Sequence, residues 1–256
     1  MIYLIIASSS LLAALLTFFS GFGMGTILMP IFAIFFPVPV AIGITALVHF
    51  LNNLLKFLLL IKSINWRITL IFGGAAVSTA AFGAWLLSIF SQMDPLWNYR
   101  IFGFSASITP VKLLVGILLM VFATVELFPI PKFAIDAKAL IFGGFLSGFF
   151  GGLSGHQGAF RSIFLIGSQI TKKPFVATSA SISFFVDLVR IIIYGFTLKA
   201  FFAQIDYAFL FIAVVFAFLG ILIGFFLLKS ITISFIRKII MAMLYVLALF
   251  LISGLI

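Results

Sequence analysis

Three basic side chains lie inside long apolar runs of this chain: Lys56, Arg161 and Arg190. The other twelve of its fifteen Lys and Arg residues sit at the ends of such runs or between them. An ionised side chain in the middle of a bilayer costs at least about 2.5–3.5 kcal/mol, so it is paired or faces an aqueous cavity. Asp187 stands three residues before Arg190, and His49 stands four before Asn53. Both spacings place the partners on one face of a helix. Asp187 and Arg190 can therefore form an intrahelical ion pair that only lowers the burial cost, or take part in ion coupling or gating.

Arg161 has the most chemistry around it. It follows Gly155, His156, Gln157 and Gly158, and Ser162 comes next. Glycine-rich backbone that leaves the helix exposes N–H groups, and a helix N-terminus carries partial positive charge. A guanidinium fork beside them matches paired oxygens. Together they suit a small oxyanion such as sulfite or a sulfonate. The competing reading is an arginine that reaches the interface and pairs with a lipid phosphate. His49 and His156 could each carry a proton near neutral pH, or serve as hydrogen-bonded packing residues. Lys56 is five residues from the end of its run, so it either snorkels or adds positive potential to the same cavity as Arg190. Asn52, Thr45, Thr178 and Ser179 are further polar candidates, and small hydroxyl residues also serve close helix packing.

These residues recur on a plan. Ser20 to Lys56 aligns without a gap on Ser154 to Arg190, 134 positions later. Ser20 and Gly21 fall on Ser154 and Gly155, Phe50 on Phe184, Asn53 on Asp187 and Lys56 on Arg190. After a seven-residue insertion, Asn65 and Trp66 meet Asp206 and Tyr207, and Gly83 meets Gly224. A duplicated, glycine-interrupted apolar segment points to the substrate site of a membrane transporter. Gly23 and Gly25 in the first break are the counterparts of the backbone ligands expected around Gly155 and Gly158. The two copies differ in polarity: the first break is glycine and apolar, the second carries His156, Gln157 and Arg161. Recognition should be weighted toward the second half.

The elements that must position these side chains are helices. The chain is 65% hydrophobic and only 8% charged, against about 25% charged in soluble domains. Apolar runs cover about 2–20, 26–36, 40–61, 68–90, 111–128, 138–152, 159–169, 175–197, 205–228 and 236–253. The expected class is an all-α membrane protein. It has about eight transmembrane helices plus two short re-entrant or broken-helix arms, 26–36 and 159–169. Residues 1–130 and 135–256 form the two repeats. Residues 2–20 have the length of a signal peptide but lack a basic leader and have a counterpart in the second half, so they are read as a mature membrane segment.

The loop charges orient the halves. If each half crosses five times, the repeats are inverted. One face then holds Lys62, Arg67, Lys132, Lys138, Lys172, Lys173, Lys229, Arg237 and Lys238, and the other Arg100, Lys112 and Lys199. Parallel halves would split the charges five against seven. The positive-inside rule favours the clear bias, with the basic face cytoplasmic and both termini external. The segment at about 91–110 has no equivalent in the second half and reads as a connector or as a cap or gate on one face.

Several functions are excluded or disfavoured. The net charge of +10 is scattered over short loops, as topology signals are, and no nucleic-acid partner is implied. No Cys is present, which removes thiolate chemistry. The glycine cluster lacks the Gly-Lys-Ser/Thr ending of a phosphate loop. The two His residues are 107 apart, so no metal site and no cofactor are expected. Nucleophile, base and acid groups are too few for an enzyme.

The motifs resemble the sulfite exporter TauE/SafE family of membrane transporters. The resemblance rests on Gly21-Phe-Gly-Met-Gly25 followed by Ile27-Leu-Met-Pro30, and on Ala41-Ile-Gly-Ile-Thr45. The second half repeats them as Gly155-His-Gln-Gly158 and Ala177-Thr-Ser179. It implies transport of small anions, often sulfite, sulfonates or related organosulfur compounds. One departure is that His156-Gln157-Gly158 replaces the family's triple glycine, and Phe164 stands where the first copy has Pro30. The expected protein is a multi-pass secondary transporter of the cell membrane, taken as a bacterial cytoplasmic membrane. It works by alternating access, with proton coupling through His156, His49 or Asp187. The alternative is a passive channel with the same selectivity residues.

Overall fold

In the computed structural model, the described residues are 2–20, 24–101, 103–127, 136–198, 203, 206–226 and 233–256. Of residues 18–20, 126, 127 and 233–240 only the backbone is considered. Gly21 and Gly23 lie outside the described residues, as do the loop cations Lys132, Lys199 and Lys229.

Each apolar run is a helix, because backbone in lipid must satisfy its own hydrogen bonds. The helices are α1 (Ile2–Ser20), α2 (Met24–Ala33), α3 (Val38–Leu60), α4 (Trp66–Ser91), α5 (Pro110–Leu127), α6 (Ala137–Ser154), α7 (Gly158–Gly167), α8 (Lys172–Thr197), α9 (Tyr207–Phe226) and α10 (Ile233–Ile252). Among the described residues, α3 with the 3-10 turn that follows it, α4, α6, α8 and α9 are long and apolar enough to cross a membrane. The arms α2 and α7 have ten residues each. That is about 15 Å of rise, half of a 30 Å hydrocarbon core.

The punctuation is local chemistry. The Asn65 side chain accepts a hydrogen bond from the Ile68 amide and starts α4. Asp136 accepts from Ala139 and starts α6. Both satisfy amides that a helix N-terminus leaves open. α6 stops at Gly155, whose φ of 83° is left-handed backbone that glycine adopts without steric cost. That stop creates the second break.

Small residues set the packing. Gly144, Gly148 and Gly152 recur every fourth residue along α6. A Cβ at these positions would run into the carbonyls of Phe72, Ala76 and Ala80 on α4. The two helices therefore touch backbone to backbone and run in the same direction, as small-residue repeats allow in lipid. α1 and α9 also run side by side in the same direction. Gly220 lies against the Leu11 carbonyl, and the Tyr3 hydroxyl donates to Asp206 at 2.9 Å. α3 and α8 cross in opposite directions. Asn65 follows α3 and donates to Thr178 near the start of α8, while Phe50 stacks on Phe184 further along, with ring centroids 5.0 Å apart. α5 and α10 are likewise antiparallel, joined by a Thr124–Tyr245 hydrogen bond of 2.6 Å and by Gly116 against Ala248 and Ile252.

The segment between α4 and α5 is not irregular. It forms a two-stranded antiparallel hairpin, β1 (Trp97–Ile101) and β2 (Phe104–Ile108). Its hydrogen bonds run to the C-terminal end of α10, through Tyr99 to the Ser253 carbonyl and Ser107 to the Gly254 carbonyl.

Candidate functional site

A small cavity of about 30 Å³ lies among α1, α2, α3, α7 and α8, room for two or three water-sized spheres. Its wall carries His49, Asn53 and Lys56 from α3, Arg161 from α7, Ser179 from α8 and Thr17 from α1. Met24, Phe175, Val176 and Ala180 complete it. His49, Asn53 and Lys56 share a face of α3 because they are four and three residues apart. Arg161 reaches the wall because α6 ends at Gly155 and α7 restarts at Gly158, which puts the guanidinium one turn into a new helix.

Behind the cavity is a buried hub centred on Asp187, which is fully buried. One carboxylate oxygen, Oδ2, lies 2.6 Å from His49 Nδ1 and accepts from Asn53 Nδ2 at 3.1 Å. The other, Oδ1, accepts from Gln157 Nε2 and from Arg190 Nε, both at 2.9 Å. Arg190 Nη2 is also 2.9 Å from Oδ1, but its direction does not make a hydrogen bond, so Nε carries the bond and Nη2 adds only charge. Arg190 Nη1 donates to the Gly151 carbonyl at 3.4 Å. The carboxylate thus accepts from four side chains on three elements: α3, the second break and α8. Such a network satisfies a buried charge that would otherwise be very costly.

Arg161 is placed differently. It is 3% exposed, yet its Nε and Nη1 have no hydrogen-bond acceptor. The Ser179 hydroxyl on the cavity wall also lacks a partner. Buried donors are nearly always satisfied in folded proteins, so each orphan needs an explanation. Among the described residues, Arg190 pairs with Asp187, and the cavity wall carries Lys56 and Arg161 but no carboxylate, so the wall is formally positive. An anion with several acceptor oxygens would answer both the charge and the unmet donors.

The residues expected from the sequence divide into three groups. Lys56, Arg161, His49 and Asn53 line the cavity. Asp187, Arg190 and Gln157 form the hub and reach the cavity through His49 and Asn53. Gly155, Gly158, Gly25 and His156 are not in the wall. Gly155 terminates α6 and Gly158 opens α7. Gly25 allows the two breaks to abut, since its Cβ position is 3.1 Å from the Gly155 carbonyl oxygen. His156 turns toward α5, where its ring stacks on Phe122 at 5.4 Å and 10° and its Nδ1 lies 3.1 Å from Ser154 Oγ. The start of α7 therefore frames the site without lining it, while Met24 at the start of α2 is in the wall. Among the described residues, no part of the hairpin lines the cavity, so a capping role for segment 91–110 has no contact to support it.

Thr17 was not legible as a wall residue. It aligns with Gly151 in the second copy, so no polar residue recurs there. Ser179 aligns with Thr45, a recurring hydroxyl whose first copy instead bonds the Ala41 carbonyl of its own helix.

No curated protein and no solved structure matches the chain significantly. A family model described as Sulfite exporter TauE/SafE matches residues 6–251. That stretch runs from α1 into α10 and includes both arms, the cavity and the hub. The chain is a multi-pass membrane protein, and it belongs to the sulfite exporter TauE/SafE family, a family of membrane transporters.

Proposed function

We propose that the protein is a secondary transporter of a small oxyanion, sulfite or an organosulfonate, and that the anion binds in the cavity bounded by Lys56 and Arg161. The observation that carries this reading is the Arg161 guanidinium, buried with Nε and Nη1 unmatched and aimed at a cavity whose wall holds a second cation. Ser179 adds an unmatched hydroxyl donor, whereas the Thr17 hydroxyl on the same wall already donates to the Ala13 carbonyl of α1. Arg190 contributes positive potential from the hub. His49 touches both the cavity and Asp187, so it is the group through which a proton could be exchanged between them.

Alternating access about this site is favoured by the arrangement of the helices. Equivalent helices in the two halves, α3 with α8 and α5 with α10, run antiparallel, as inverted repeats require. The α4–α6 contact corresponds to the α9–α1 contact when the halves are exchanged. If α1, α5 and α10, of 19, 18 and 20 residues, also cross the membrane, the described helices give eight spans and two arms. Asn53 and Asp187, aligned in sequence, bond each other directly, and so do the rings of Phe50 and Phe184. A site next to such self-contacts lies close to the axis relating the halves, where rocking one half against the other exposes it to either face.

The test is sulfite uptake by purified protein in proteoliposomes. Losing charge-assisted hydrogen bonds of about 1.5–3 kcal/mol should weaken apparent affinity in Arg161→Ala by roughly 10- to 100-fold, with partial recovery in Arg161→Lys. Unchanged affinity and rate in Arg161→Ala would sink the binding role. An imposed proton gradient should drive accumulation beyond equilibrium; equilibration alone would indicate a passive channel.

A further inference from the structure

We propose that the β1–β2 hairpin is an interfacial anchor that lies on the bilayer surface and dips its apolar ends into the lipid headgroup layer. Strand alternation sorts its side chains onto two faces. Trp97, Tyr99, Ile101, Phe104, Ala106 and Ile108 share one face, paired across the strands as Trp97–Ile108, Tyr99–Ala106 and Ile101–Phe104. Asn98, Arg100, Ser105 and Ser107 share the other. The middle of the apolar face is covered: Ala106 is 2% exposed, and the Tyr99 hydroxyl donates to Ser253 at the end of α10. Both ends of that face overhang the protein. Trp97 is 68% exposed at the open end, and Phe104 is 71% exposed at the turn.

The position of the hairpin selects the occupant. Lys112 at the start of α5 donates to the carbonyls of Ser107 and Gly254, so the hairpin is pinned where α5 enters and α10 leaves the membrane. α4, the spanning helix that leads into the hairpin, carries exposed apolar side chains such as Phe82 and Trp85 within its last three turns. A two-stranded hairpin in water is marginal alone, and an overhanging Trp and Phe would not help it there. At the headgroup level the same residues form an aromatic anchor, with the exposed Arg100 of the opposite face turned to water. Because the second half has no counterpart, the device fixes one face of the molecule only, at α5 and α10 and away from the cavity.

The chain has three tryptophans, so Trp66→Phe with Trp85→Phe leaves Trp97 as the sole indole emitter. The full-length double variant is reconstituted in phosphatidylcholine–phosphatidylglycerol vesicles whose acyl chains carry bromine near the headgroup. Trp97 emission should fall by more than about half relative to unbrominated vesicles, as for an indole at the interface, while aqueous acrylamide quenches it weakly. Strong acrylamide quenching without bromine quenching would place the hairpin in water and overturn the proposal. Protection from both quenchers would mean a protein partner and would overturn it equally. If the double variant does not fold, Phe104→Cys in the otherwise cysteine-free chain takes a spin label. Its relaxation by oxygen should then exceed that by a water-soluble nickel chelate, and the reverse order would overturn the proposal.

Discussion

A buried guanidinium with unmatched donors costs stability, and removing it should reveal that cost. Arg161→Met is expected to leave the anion-free protein at least as stable in detergent as the wild type, because an uncompensated cation leaves the interior. The same substitution should abolish stabilisation by anions. Thermal unfolding with and without sulfite checks both, and a large destabilisation of the anion-free variant would assign Arg161 to structure. Asp187→Asn should behave in the opposite way. It strands Arg190 without its carboxylate, which costs about 3–5 kcal/mol for a broken buried pair, and denaturant unfolding reads that loss. A change below about 1 kcal/mol would fit an exposed pair instead. The spacing of Asp187 to Arg190 and of His49 to Asn53 was legible in the sequence, because each pair is set by one helix. The His49–Asp187 contact joins residues 138 positions apart and depends on how α3 crosses α8, which local spacing does not encode. For the same reason His156 could be picked out as a polar residue in a break, but not as one that turns away from the cavity.

At the scale of elements, the glycines of α6 and α4 make contrasting predictions. Gly148→Leu drives a side chain into the Ala76 carbonyl and should destabilise by more than the 1–3 kcal/mol typical of overpacking. Gly74→Ala on the facing helix meets nothing within 4 Å and should be neutral or stabilising by up to about 1 kcal/mol. Unfolding midpoints of the two variants decide the matter, and equal effects would contradict the backbone-to-backbone packing of α4 on α6. Helices and arms were readable because long apolar runs have one solution in lipid. The hairpin was not read. Its strands are five residues each, and much of their order comes from docking on the ends of α5 and α10, a tertiary contact that leaves little trace in so short a pattern. The direction of the helices was inferred from loop charges alone, three of which lie outside the described residues.

For the whole molecule, the proposed motion brings the two halves past each other at the α3–α8 crossing. Phe50→Cys with Phe184→Cys, in a chain that has no other cysteine, should halt transport when joined by a short cleavable cross-linker and recover when it is cleaved. Transport that continues while cross-linked would show that the crossing does not move. The most direct test of the account is anion binding to the purified protein at equilibrium. Sulfite and small sulfonates are titrated against the unfolding temperature of the wild type and of Arg161→Ala. The account predicts a concentration-dependent rise for at least one of these anions in the wild type and none over the same range in the variant. An equal rise in both proteins, or none in the wild type with any of them, would contradict it.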